Sequence, residues 1–156
     1  MWPETPYFPT ADTGYSHCGT NWIFNNPNVA VEMEVFAREQ LELFMWFNPF
    51  SDPNKMNADV SANLQDIQLK SSTQTYSPQA IQKRVYKSCS PLCSPDVEIG
   101  SGRASLNTGL YVALFPKEIE NFETFTVILP PLLIQGTQVN LAPITFTKTF
   151  KLAFCH

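Results

Sequence analysis

From Asn28 to Phe36 alternate residues are apolar. Val29, Val31, Met33 and Val35 fall on one side of an extended chain, and Ala30, Glu32 and Glu34 on the other. Successive strand side chains point to opposite faces, so this spacing predicts a strand buried on one side. The pattern resumes over Gln40–Asn48, where Leu41, Leu43, Met45 and Phe47 alternate with Glu42, Phe44, Trp46 and Asn48. The Ala37-Arg38-Glu39 connection is short enough for an antiparallel hairpin. The polar side of the second strand departs from the rule, because Phe44 and Trp46 stand there beside Glu42.

Loop chemistry follows. Pro49 and Pro53, with Asn48, Asp52 and Asn54, interrupt the ladder. Alternation returns over residues 59–70 with Val60, Ala62 and Leu64, then shifts to Ile67 and Leu69; a β-bulge at Gln65–Asp66 produces such a shift. Ser77-Pro78 offers a helix N-cap and first-turn proline, and Ile81 and Val85 are spaced for one helix face, so a single two-turn helix is expected there. Leu110–Phe115 reads as a strand with Leu110, Val112 and Leu114 inward, and Lys117–Asn121 as a connector of one helical turn. Phe125, Val127 and Leu129 define a further strand, which Pro130-Pro131 ends because proline cannot donate to a ladder. Gln135-Gly136-Thr137-Gln138 is a hairpin turn between Leu132–Ile134 and Val139–Leu141. The last strand carries Ile144 and Phe146, after a register shift at Ala142-Pro143.

Residues 1–27 lack periodicity but contain Trp2, Tyr7, Phe8, Tyr15, Trp22 and Phe24. Leaving such rings in water forfeits about 1.5–3 kcal/mol per side chain, so this stretch reads as an extended arm packed on the domain surface. Residues 28–156 then form one domain. About seven short strands with frequent turns and little helix predict an all-β fold of immunoglobulin-like antiparallel sandwich type, with a small open barrel as the alternative.

Composition narrows the function. The 156 residues are 44% hydrophobic and only 15% charged, apolar enough for a sizeable core and against wholesale disorder. No apolar run approaches the roughly 18 residues of a membrane-spanning helix. The formal charge is −4 with scattered Lys and Arg, so neither nucleic acid nor an anionic membrane surface is an expected partner.

The four cysteines, Cys18, Cys89, Cys93 and Cys155, suit two disulfides, with Cys89–Cys93 closing a tight loop and Cys18–Cys155 joining the two ends as the preferred pairing. The long closure is worth up to about 5 kcal/mol in the chain-entropy model. Free thiols and a metal site are the alternatives. Eleven asparagines supply no Asn-X-Ser/Thr acceptor. Cysteines without glycosylation sites fit a periplasmic or secreted protein whose export signal has been removed; a cytosolic protein with reduced thiols is the other reading.

No catalytic constellation emerges. The two histidines, His17 and His156, are poorly placed for a base: adjacent strand residues point apart, which sets His17 against a dyad with Cys18. Gly100-Ser101-Gly102 lacks the nucleophile-elbow pattern. The run Asp52 to Asp59 has oxygen donors but lacks the glycine and third ligand of a calcium loop. No metal or cofactor is expected. Glu32, Glu34 and Glu42 share a hairpin face, where a solvated acidic surface is a simpler reading than a glycosidase pair.

The distinctive feature is that same face, where Glu32, Glu34, Glu42, Phe44 and Trp46 combine acids with large rings. Either other chain segments cover the rings, or the face is a contact surface, since interface anchors are rich in Trp and other aromatics inside a polar rim. The expected function is therefore non-catalytic protein binding by an exported domain, in its concrete form a bacterial immunity protein that blocks a basic toxin or enzyme. The alternative is a structural or adhesive module: a cell-surface or fimbrial subunit, or a lipoprotein body.

Overall fold

The computed structural model describes residues 7–10, 15–17, 20–23, 30–48, 60–84, 97–99, 104–106 and 110–148. Within them run β1 (Tyr7–Pro9), β2 (Tyr15–His17), β3 (Thr20–Ile23), β4 (Ala30–Ala37), β5 (Leu41–Asn48), β6 (Val60–Ala62), β7 (Gln68–Lys70) and β8 (Thr75–Tyr76). The second half supplies β9 (Ala80–Arg84), β10 (Val97–Ile99), β11 (Ala104–Ser105), β12 (Leu110–Phe115), β13 (Thr124–Ile128), β14 (Leu132–Ile134), β15 (Thr137–Val139) and β16 (Ile144–Lys148). Two short 3-10 turns, Leu64–Asp66 and Lys117–Asn121, are the helical elements among the described residues. The protein is all-β.

The strands form three antiparallel sheets. The largest has the order β10-β9-β12-β5-β4-β3-β2, the second β1-β16-β13-β7-β8, and the smallest β11-β6-β14-β15. A single apolar cluster draws on all three, so the packing is sandwich-like, with the core between sheets. From the largest sheet come Val31, Met33, Leu43, Met45 and Phe47; from the second, Leu69, Phe125, Val127, Ile144 and Phe146. Phe125 stacks on its ladder partner Phe146 at 5.6 Å between ring centroids, and Tyr7 packs on Phe125 at 4.8 Å.

The β4–β5 hairpin follows the alternation closely. Val31, Met33, Val35 and Ala37 are buried, as are Leu41, Leu43, Met45 and Phe47 opposite them. The Phe125/Val127/Leu129 side is likewise buried. At the β14–β15 turn, Gln135 has φ 49° and Gly136 φ 80°. Two successive positive φ values define the type I′ turn, whose twist matches its strands.

Within the first 27 residues, β1 pairs with β16, while β2 and β3 extend the largest sheet beyond β4. All four cysteines, His156, the Asp52–Asp59 run and Gly100-Ser101-Gly102 lie outside the described residues.

The described residues hold sixteen strands in three sheets against the seven or so expected, because several expected loops and the first 27 residues contribute short strands. Three further expectations are corrected. Residues 80–84 are strand β9, paired with β10 and β12, not the start of a helix. Ile81 is fully buried in the ladder, and tertiary pairing outweighs a short-range proline signal. The parity shift near Gln65–Asp66 is not a bulge within one strand. It is a 3-10 turn, closed by Asp66 N–H to Asn63 O (3.1 Å) and Ile67 N–H to Leu64 O (3.2 Å), that carries the chain from the smallest sheet to the five-stranded one. In β12 the faces are exchanged: Tyr111, Ala113 and Phe115 enter the main core, whereas Leu110, Val112 and Leu114 face the other way. An uninterrupted apolar run carries no alternation from which to choose a face.

Candidate partner-binding face

The outward side of the largest sheet is not uniformly polar. Leu114 and the fully buried Val112 join Phe44, only 8% exposed, in a second apolar cluster, with Phe36, Ala80 and Leu110 packed against it. This cluster exists because β12 is apolar on both faces and pairs with β5, bringing Val112 opposite Phe44. Phe36 meets Phe44 edge to ring at 5.0 Å, a favoured aromatic geometry.

The register then places the predicted face residues. Three cross-strand pairs lie side by side: Phe36 opposite Glu42, Glu34 opposite Phe44, and Glu32 opposite Trp46. Glu32, Glu34, Glu42, Phe44 and Trp46 are thus brought together on one side of one hairpin. Directly opposite side chains in an antiparallel pair have Cβ atoms about 4.5–5.5 Å apart, so each ring lies within reach of a carboxylate.

The face divides in two. Phe44 is packed into the outer cluster, whereas Trp46 is 47% exposed, the one large apolar side chain that is so open among the described residues. Glu32 and Glu34 are half-buried beside it. Burial raises the Glu32 carboxyl above its ordinary value of 4.5. Its charge is already partly stripped of water, which sharpens any interaction with an arriving cation.

Sequence reasoning passed over Phe36 and Arg38. Arg38 spans the hairpin turn, its Nε 3.4 Å from Glu42 Oε2 and its guanidinium carbon 5.1 Å from the centre of the Phe36 ring. Phe36 was legible from parity, since it continues the Ala30, Glu32, Glu34 face; the Arg38–Glu42 contact follows from the tight turn that folds residue 42 back beside 38. Glu42 is thereby engaged with Arg38, its side chain 14% exposed. Together Glu32, Glu34, Phe36, Arg38, Phe44 and Trp46 border a concavity of about 260 Å³, with Leu110 at its wall.

His17 lies in β2, opposite Thr20. Among the described residues no three His, Cys, Asp or Glu side chains converge as metal ligands, and no helix is long and apolar enough to cross a membrane. No family model, curated protein or solved structure matches this chain.

Proposed function

We propose that this chain is a non-catalytic protein-binding domain that engages a basic partner through the outer face of the β4–β5 hairpin. The observation that carries the reading is Trp46, an exposed ring opposite Glu32, with Glu34 next along the same side of β4 and a packed apolar cluster beside it. A large ring with a polar rim has the make-up of an interface anchor. The acidic net charge of −4 favours encounter with a basic surface. In its concrete form the protein is an exported bacterial immunity protein, working in the periplasm against a basic toxin or enzyme. Its four cysteines and missing glycosylation acceptors support that compartment, and four alkylatable thiols in freshly isolated protein would move it to the cytosol. The architecture belonging to this proposal is an immunoglobulin-like sandwich, supported by a chain that passes repeatedly between sheets sharing one core.

The test is parallel capture from the source organism's exported proteins with wild type and with Glu34→Lys. A partner retained by wild type, released by salt and lost by the variant supports the reading. A partner held equally by both contradicts it.

A structural or adhesive module is favoured by a separate observation. Strand β15 ends the four-stranded sheet, and its ladder partner among the described residues is β14 alone. Such an edge can accept a strand from another chain. Concentration-dependent polymers that vanish on placing proline at Gln138 would support this reading.

A further inference from the structure

One end of the outer face already shows how this hairpin handles a cation. Phe36 and Glu42 stand opposite each other across the ladder. Between them lies Arg38, with its guanidinium carbon 5.1 Å from the ring centre and its Nε 3.4 Å from the carboxylate. The ring contributes the negative face of its quadrupole and the carboxylate its charge, two attractions that act on the guanidinium together, the second as an ion-pair contact without a hydrogen bond to Oε2.

The same combination recurs at the other end. Glu32 stands opposite Trp46, again a carboxylate against a ring. The ring here is indole, the strongest of the aromatic side chains toward cations, and it is 47% exposed. Glu34 follows two residues along β4 on the same side, about 7 Å from Glu32 by strand rise. It brings a second carboxylate to the wall of the same concavity, whose far end is bordered by Arg38, so two acids outnumber one cation among the described residues that line it. At about 260 Å³ that space is below the roughly 300–1,000 Å³ of small-molecule pockets, a size suited to one side chain.

We propose that the Glu32–Trp46 end of this concavity binds an arginine side chain presented by the partner protein, in the arrangement that Phe36 and Glu42 impose on Arg38. The inference rests on the partner-face reading above and adds to it the chemistry of the anchor. Arginine fits better than lysine on two counts. Its flat, weakly hydrated guanidinium stacks on indole, and its edge carries several donors that can reach Glu32 and Glu34 at once. A lysine ammonium is a compact point charge that holds its water more tightly. The burial that raises the Glu32 carboxyl favours an incoming cation further, because pairing offsets a desolvation already incurred.

The experiment is a titration of the whole chain with acetyl-Gly-Arg-Gly-amide, followed by the indole N–H resonance of Trp46, assigned by its disappearance in Trp46→Phe. Neutral citrulline and lysine versions of the peptide serve as comparisons. The expected result is a saturable shift in the millimolar range, at least about tenfold tighter for arginine than for citrulline and about threefold tighter than for lysine, weakening as salt rises. Glu32→Gln should lower the arginine affinity about five- to tenfold while leaving the spectrum of the fold intact. No saturable shift, equal binding of the citrulline or lysine peptide, or an unchanged Glu32→Gln affinity would overturn the inference. The two readings fail separately. Loss of a captured partner in Trp46→Ala with no response to the arginine peptide removes the pocket and leaves the partner face. A peptide response with capture indifferent to Trp46→Ala does the reverse.

Discussion

Glu32 faces Trp46 directly across the β4–β5 ladder, so a half-buried carboxylate and an exposed indole occupy one site on the outer side of the largest sheet. The inner side of the same two strands is buried in the main core through Val31, Met33, Met45 and Phe47. The outer side carries a smaller buried cluster of its own, Phe44, Val112 and Leu114, beside which Trp46 remains 47% exposed.

Glu32 holds its charge at some cost to the fold. Burial raises its carboxyl above 4.5, so the folded state binds that proton more tightly than the unfolded chain. The stabilisation this gives is fully present below the unfolded value and is lost as pH rises through the raised folded value. Glu32→Gln should therefore melt about 1–3 °C above wild type at pH 7. The gap should narrow as pH falls through the folded value toward 4.5. Thermal melts at pH 4 and pH 7 read both effects.

Glu42 has a different place from its neighbours, because it is engaged with Arg38 across the turn. Half of that pair is open to solvent, so Glu42→Ala should cost less than about 1 kcal/mol. Glu42→Lys sets an ammonium beside the guanidinium in a site only 14% exposed, and should cost about 1–2 kcal/mol more than alanine. Urea unfolding of the two variants checks the order.

Tyr7 fastens β1 to the rest of the chain. Its hydroxyl reaches the carbonyl oxygens of Ile119 and Phe122, and that of Glu120 at 3.1 Å. Burial, then the nearby Glu120 charge, pushes its pKa up to about 12 from 10. A raised folded pKa means stability is complete below pH 10 and declines as pH rises from 10 through about 12. Tyr7→Phe should cost about 1–2 kcal/mol at neutral pH. It should also flatten the alkaline decline, as followed by denaturant midpoints between pH 8 and pH 12.

At the β14–β15 turn, Gly136 has φ 80° with nothing within 4 Å of where a Cβ would stand. The conformation alone resists a side chain there. Gly136→Ala should cost about 1 kcal/mol through backbone strain with no packing change, and Gly136→Asn less, since asparagine tolerates the left-handed region. Melting temperatures of the pair give the ordering.

Much of this was legible in the chain. Alternation in β4 gave the inner and outer faces of the hairpin, and the β4–β5 register carried that parity onto β5, whose Leu43–Phe47 run is apolar on both sides. The five face residues followed from that parity alone. What eluded sequence reasoning depended on long-range pairing. Leu110–Phe115 is apolar on both sides, and its pairing with β5 on one edge and β9 on the other decides that Tyr111, Ala113 and Phe115 turn inward. Residues 80–84 carry a helix-start signal that the β9–β12 ladder overrides. The Leu64–Asp66 turn resembles a bulge in sequence, since both change parity by one residue; whether the next strand joins the same sheet is set by packing elsewhere in the chain.

The most direct measurement is the affinity of the purified captured partner for wild type and for Trp46→Ala, with melting temperatures recorded for both. An anchor of about 2 kcal/mol corresponds to roughly 30-fold weaker binding, expected here at an unchanged melting temperature because the ring lies outside the core. Affinities within twofold of each other, with both proteins folded, would contradict a partner face centred on this hairpin.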